Sequence, residues 1–212
     1  MPHSSFIHRF VPAEQGNRVT LLLLHGTGGD EGDLIPIGQS LVPGAALLSP
    51  RGRVLENGMP RFFRRVAEGV FDVEDIRLRA RELAEFVEAA SKVYGFDDHG
   101  VVAVGYSNGA NIAAALLLLQ PRVLAGAVLF RAMVPLEPER PPDLRDVPVF
   151  LAAGATDRIV PRPNVERLAT LLREGGSSVS LEVYPRGHEL GTDEIDDAGE
   201  WLAVRWPVRT EP

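Results

Sequence analysis

Six short runs of nearly uninterrupted apolar residues punctuate this sequence, at residues 19–24 (VTLLLL), 45–49 (AALLS), 101–104 (VVAV), 126–130 (GAVLF), 149–153 (VFLAA) and 179–184 (VSLEVY). A strand with one face in water alternates apolar and polar side chains. A run without alternation has to be covered on both faces, which is the condition inside a parallel sheet packed between helices. The segments between the runs have helical spacing: residues 33–41, 73–94, 111–119, 163–173 and 193–204, with Ile76, Leu83, Phe86 and Val87 on one face of the longest. Alternating strands and helices predict an α/β architecture with a mostly parallel central sheet and helices on both faces. Residues 6–11 suit one further edge strand. The 212 residues, 45% of them hydrophobic, suit a single domain. The proline-rich stretch 135–148 reads as a connection between strands.

The formal net charge of -7 repels phosphate surfaces, so no nucleic-acid partner is expected. There is no cysteine, which excludes disulfides, thiolate metal sites and a cysteine nucleophile. The longest apolar stretches are too short to span a bilayer, and residues 1–10 lack the apolar run of a signal peptide. The expectation is a cytoplasmic protein with no stable membrane insertion.

Three loops carry the chemistry. Gly105-Tyr106-Ser107-Asn108-Gly109 fits the G-x-S-x-G elbow, in which a strand turns sharply into a helix and exposes a serine at the turn. A strand run precedes it and a small-residue helix follows. Gly105, Gly109 and Ala110 supply the small side chains that so tight a turn demands. A serine nucleophile needs a base. Of the five histidines, His3 and His8 lie at the start of the chain, and His99 falls before the elbow strand, at the wrong end of the sheet. His188 follows the last strand run, at the same sheet end as Ser107. Asp157, in the loop after residues 149–153, is the candidate acid to orient His188, although the same residue would also suit as a helix cap. The third loop, His25-Gly26-Thr27-Gly28-Gly29, is no phosphate-binding loop, because no Gly-Lys-Ser/Thr follows. It suits the other half of an oxyanion hole, with the Thr27 N–H as one donor and the Asn108 N–H as the second. His25 then reads as a structural hydrogen-bonder.

These blocks, together with Ser49-Pro50-Arg51-Gly52 and Asn57-Gly58-Met59, resemble the phospholipase/carboxylesterase family of α/β-hydrolases, the small lidless branch that includes acyl-protein thioesterases. The resemblance implies an α/β-hydrolase fold, a serine carboxylesterase activity, and the catalytic roles of Ser107, Asp157 and His188. It implies no cofactor and no metal. Two departures stand out: Asn108 follows the nucleophile where the thioesterases usually have Gln, and Phe62-Phe63 stands where they usually have Trp-Tyr. Both point toward a bacterial esterase.

The interval 131–147 is too short for a helical cap, so an open site is expected. The long irregular loop 51–72 is expected to wall it, with Met59, Phe62 and Phe63 offering apolar surface and Met133, Ile159, Val160 and Leu190 adding to it. Arg51, Arg64 and Arg65 suit either solvent or an acidic substrate group. The partner is a small-molecule ester; exposed apolar residues would also suit a homodimer. The rival readings are a thioesterase or lysophospholipase acting on longer acyl chains, and a binding protein on an inactive hydrolase fold.

Overall fold

The computed structural model describes residues 6–15 and 17–207; His3 lies outside them. A seven-stranded sheet is built from β1 (His8–Val11), β2 (Thr20–Leu24), β3 (Ala46–Pro50), β8 (Val101–Tyr106), β9 (Gly126–Phe130), β10 (Val149–Gly154) and β11 (Val179–Tyr184). Its order is β1-β3-β2-β8-β9-β10-β11. Every pairing is parallel except that of β1, which runs antiparallel to β3 at the edge with His8 opposite Pro50. The helices are α1 (Ile35–Leu41), α2 (Val73–Tyr94), α3 (Asn108–Leu119), α4 (Arg162–Glu174) and α5 (Thr192–Arg205).

The all-apolar runs have the predicted cause. In β2, Leu22 and Leu24 point into a core shared with α2, α3 and α4, while Leu21 and Leu23 point into a second core shared with α1 and α5. All four are wholly buried. The other central strands divide in the same way: Val101 and Ala103 face one side, Val102 and Val104 the other. The edge strand β11 differs. Its residues are mostly half-buried or exposed, because only one neighbour covers it. Helix α3 is buried around nearly its whole circumference, between the sheet and α2, which is why its Ala- and Leu-rich sequence shows no polar face.

The connection 51–72 is not irregular. It folds into two antiparallel ribbons, β4 (Val54–Glu56) with β5 (Met59–Arg61), and β6 (Arg65–Ala67) with β7 (Val70–Phe71). Between β9 and β10 no helix forms, so no cap lies over the sheet.

Strand order places the site. The chain steps from β2 outward to β3, then crosses through the ribbons and α2 to β8 on the other side of β2. The loops leaving β2 and β8 diverge at that switch point and open a crevice at the carboxyl ends of the strands.

Candidate active site

Ser107 sits between the last residue of β8 and the first of α3, with φ 52 and ψ -113. Such a conformation costs a non-glycine residue about 1–3 kcal/mol and persists only where the surroundings fix it. Here they do. The Ser107 N–H donates to the carbonyl of Phe130 on β9 at 2.9 Å. Helix α3 is pressed so closely on β2 that a Cβ on Gly109 would lie 1.9 Å from the Leu24 carbonyl oxygen.

The structure brings Ser107, His188 and Asp157 together. His188 Nε2 is 2.9 Å from Ser107 Oγ, and His188 Nδ1 is 2.8 Å from Asp157 Oδ2. An ionised carboxylate only accepts, so Nδ1 carries the proton and Nε2 is free to accept from the serine hydroxyl. The Asp157 side chain is fully buried, and its other oxygen accepts from the N–H groups of Ile159 and Val160 at 2.8 and 3.0 Å. Those two bonds also make Asp157 the cap of the turn leading to α4, so the capping bonds and the bond to His188 fall on separate oxygens.

Behind this trio lies a residue that the sequence did not single out. Arg131 follows β9 with φ 58, and its side chain is wholly buried. Its guanidinium donates to the carbonyls of Gly187 (2.9 Å), Glu189 (2.6 Å) and Ala152 (3.3 Å), and to both oxygens of buried Glu194 on α5 (2.6 and 2.7 Å). These bonds use all five N–H groups. They clamp the loop on either side of His188. Arg131 Nε also lies 3.9 Å from Asp157 Oδ2, with both side chains wholly buried. Tyr106 adds a further tie, donating from its hydroxyl to the His188 carbonyl at 3.0 Å. Burial raises the Tyr106 pKa, which keeps it a donor.

Opposite lies the loop that follows β2. Thr27 and Asn108 both line the cleft beside Ser107. Among the described residues, neither backbone N–H is engaged in a hydrogen bond within the protein. The Asn108 side chain is engaged elsewhere: its Oδ1 accepts from the Phe62 N–H at 2.7 Å, which ties the elbow to the ribbons. His25 is buried, with Nδ1 2.6 Å from the Gly26 carbonyl and Nε2 accepting from the Gly52 N–H at 2.9 Å. Burial lowers its pKa, so it is held neutral. The other two described histidines stand apart. His8 contacts the Tyr94 hydroxyl, and His99 lies exposed in a short turn.

The cleft has a volume of about 270 Å³. Met133, Ile159 and Val160 line it as expected, but Met59, Phe62, Phe63 and Leu190 do not. Phe62 and Phe63 fold beneath the ribbons, where Phe62 packs on the His25 ring and Phe63 edge-on against Phe71. Met59 lies beyond, near Gly28, and Leu190 joins the core on the α5 side of the sheet. Phe71, Tyr106 and Asn111 take their place. The three arginines left open between solvent and substrate divide. Arg51 pairs with Glu31, and Arg64 with Asp72 and Asp75, away from the cleft. Arg65 lines it, together with Arg61, which the sequence had left unremarked. Burial and then the Arg65 charge lower the Arg61 pKa.

Similarity to known proteins accords with this arrangement. The phospholipase/carboxylesterase family profile matches residues 7–205. A putative hydrolase of Bacillus subtilis, MhqD, is 49% identical over 181 residues, spanning 85% of this chain and 90% of that protein. The crystal structure of a Bacillus cereus carboxylesterase superposes with a TM-score of 0.92 at 46% identity, covering 94% of each chain. Acyl-protein thioesterase 1 of Cryptococcus neoformans is 24% identical over 231 residues, spanning 94% of this chain and 97% of its own. With its parallel sheet, its uncapped crevice and a serine at the turn from strand to helix, the chain belongs to the phospholipase/carboxylesterase family, a family of carboxylic ester hydrolases.

Proposed function

We propose that the protein hydrolyses carboxylic esters with small to medium acyl groups, through Ser107, His188 and Asp157 and a covalent acyl-enzyme. The observation that carries this reading is His188, hydrogen-bonded through one nitrogen to Ser107 and through the other to a buried carboxylate. As Ser107 Oγ bonds to the ester carbonyl carbon, its proton passes to His188 Nε2. The imidazolium is stabilised by Asp157. The carbonyl oxygen becomes an oxyanion that accepts from the Thr27 and Asn108 N–H groups; each such donor contributes about 3–4 kcal/mol in the transition state. Collapse breaks the bond to the alcohol, which takes the proton from His188. Water, deprotonated by the same base, then releases the acid.

The cleft volume, about 270 Å³, falls just below the usual range of small-molecule sites, roughly 300–1,000 Å³. This favours short acyl groups. A second reading, a thioesterase or lysophospholipase acting on longer chains, draws on the likeness to acyl-protein thioesterase and on the exposed Val66 and Val70 of the ribbon that walls the cleft. Turnover of p-nitrophenyl esters from acetate to palmitate separates the two, with Ser107→Ala as the blank. Activity greatest on the short esters, and absent in the variant, is expected. Activity confined to long chains would favour the second reading, and equal rates in both proteins would defeat the hydrolase assignment.

A further inference from the structure

One wall of the cleft carries charge that ester hydrolysis as such does not need. Arg61 and Arg65 both line the cavity that holds Ser107 and His188. Arg61 is buried, 4 % exposed, at the end of β5. Its Nη1 donates to the Thr27 hydroxyl at 2.6 Å and its Nε to the Phe63 carbonyl at 3.3 Å, which fixes the guanidinium beside the oxyanion loop. Arg65 Nε donates to Glu56 Oε1 at 2.9 Å, and Arg61 Nη1 lies 3.4 Å from Glu56 Oε2. Two cations thus share one carboxylate. Glu68, the acidic residue that lines the cleft, is exposed, where water screens its charge. Among the described residues, Arg61 Nη2 and both terminal nitrogens of Arg65 make no hydrogen bond within the protein. A guanidinium held in place with unused N–H groups is a ready-made partner for a carboxylate.

Building on the hydrolase reading above, we propose that the preferred substrates are esters whose acyl part ends in a second carboxylate, the half-esters of short dicarboxylic acids. Arg61 and Arg65 bind the free carboxylate while Ser107 attacks the ester carbonyl. The reaction remains the same acyl transfer. A bond forms from Ser107 Oγ to the carbonyl carbon, the bond to the alcohol breaks, and the proton moves from Ser107 through His188 to the alcohol. Water then frees the dicarboxylate. The small cavity limits the spacer between the two carbonyl carbons to a few methylene groups.

The test compares mono-p-nitrophenyl glutarate with p-nitrophenyl valerate, which has a similar length and no charge, and subtracts the rate with Ser107→Ala for each. The glutarate half-ester is expected to have a kcat/KM at least about tenfold higher at low ionic strength, the gain lying mainly in KM and shrinking as salt is added. Arg65→Gln, at a half-exposed position that tolerates change, lowers the glutarate-to-valerate ratio by about tenfold, and Arg65→Lys restores part of it. A wild-type ratio at or below one overturns the proposal while leaving the hydrolase reading intact. So does a ratio that Arg65→Gln leaves unchanged. If neither ester reacts faster than with Ser107→Ala, the hydrolase reading fails and the proposal fails with it.

Discussion

The two sides of the cleft are built on different terms. On one side are the elbow and the loops of Asp157 and His188, where each position is fixed from several directions. Ser107 is held in a strained conformation by a hydrogen bond to β9 and by the close approach of α3 to β2. His188 is held by Asp157, Tyr106 and the Arg131 clamp. On the other side stand the two ribbons of residues 54–71. Leu55 and Val66 project into solvent there, 70% and 76% exposed, and the turn at Gly58 has no heavy atom within 4 Å of where a Cβ would sit. The contrast teaches that the reacting atoms need a rigid base. The opposite wall is anchored where it meets that base, through Phe62 to Asn108, Gly52 to His25 and Arg61 to Thr27.

The largest effect expected on the rigid side is that of Asp157→Asn. The N–H groups of Ile159 and Val160 hold one oxygen of this side chain as an acceptor. The amide therefore turns its NH2 toward His188 Nδ1, which selects the wrong imidazole tautomer. A fall in kcat of about ten-thousandfold is expected, with little change in stability. Steady-state kinetics beside a thermal melt check it. A loss below tenfold would mean that His188 does not depend on Asp157 for its orientation.

The next effect is steric and compares one glycine from each side. Gly109→Ala drives a methyl group into the Leu24 carbonyl, a backbone atom of the central strand that cannot move aside. It is expected to destabilise the fold by more than about 3 kcal/mol. For a chain of this size that lowers Tm by at least about 6 °C. Gly58→Ala meets nothing, so its cost is confined to the φ of +81 at the ribbon turn, about 1 kcal/mol. Melting curves of the two variants should therefore separate widely. Equal shifts would dissolve the contrast between base and wall.

The same contrast explains what was legible in the sequence. Burial on both faces forces an uninterrupted apolar run, so residues 126–130 could be bounded as a strand from the sequence; residues 179–184, at the sheet edge, were legible from apolar residues at every second position, and residues 73–94 from helical spacing. The elbow was legible because its geometry tolerates few side chains. The ribbons were not: strands of two or three residues have no period to read, and their register is set by contacts with distant loops. For the same reason Phe62 and Phe63 read as pocket residues and prove to be core. Arg131 was hidden for a different reason. An arginine after an apolar strand ordinarily points to solvent, and only the meeting of β9, the His188 loop and Glu194 reveals a site with five acceptors. Arg61 was concealed among neighbouring arginines of identical type, which only their ion-pair partners distinguish.

The smallest expected effect is one of pH, and it falls where the two sides join. His25 belongs to the rigid side but accepts a hydrogen bond from the Gly52 N–H, the point at which the wall departs. Burial depresses its pKa below the ordinary value of 6.5, so the unfolded chain takes up this proton more readily than the folded one. The stability due to the neutral ring is therefore complete above about pH 6.5 and declines as the pH falls from there through the lower, folded-state value. Protonation also converts Nε2 from an acceptor into a donor facing another donor, which weakens the joint itself. Urea unfolding midpoints measured at intervals between pH 8 and pH 5 should fall toward the acid side more steeply for the wild type than for His25→Gln, which has no group at this position that titrates in the range. The slopes are the comparison, not the levels, because the variant loses packing at every pH. Parallel slopes would show that the joint between base and wall does not depend on a neutral His25, and that its other ties, Asn108 to Phe62 and Thr27 to Arg61, hold the wall.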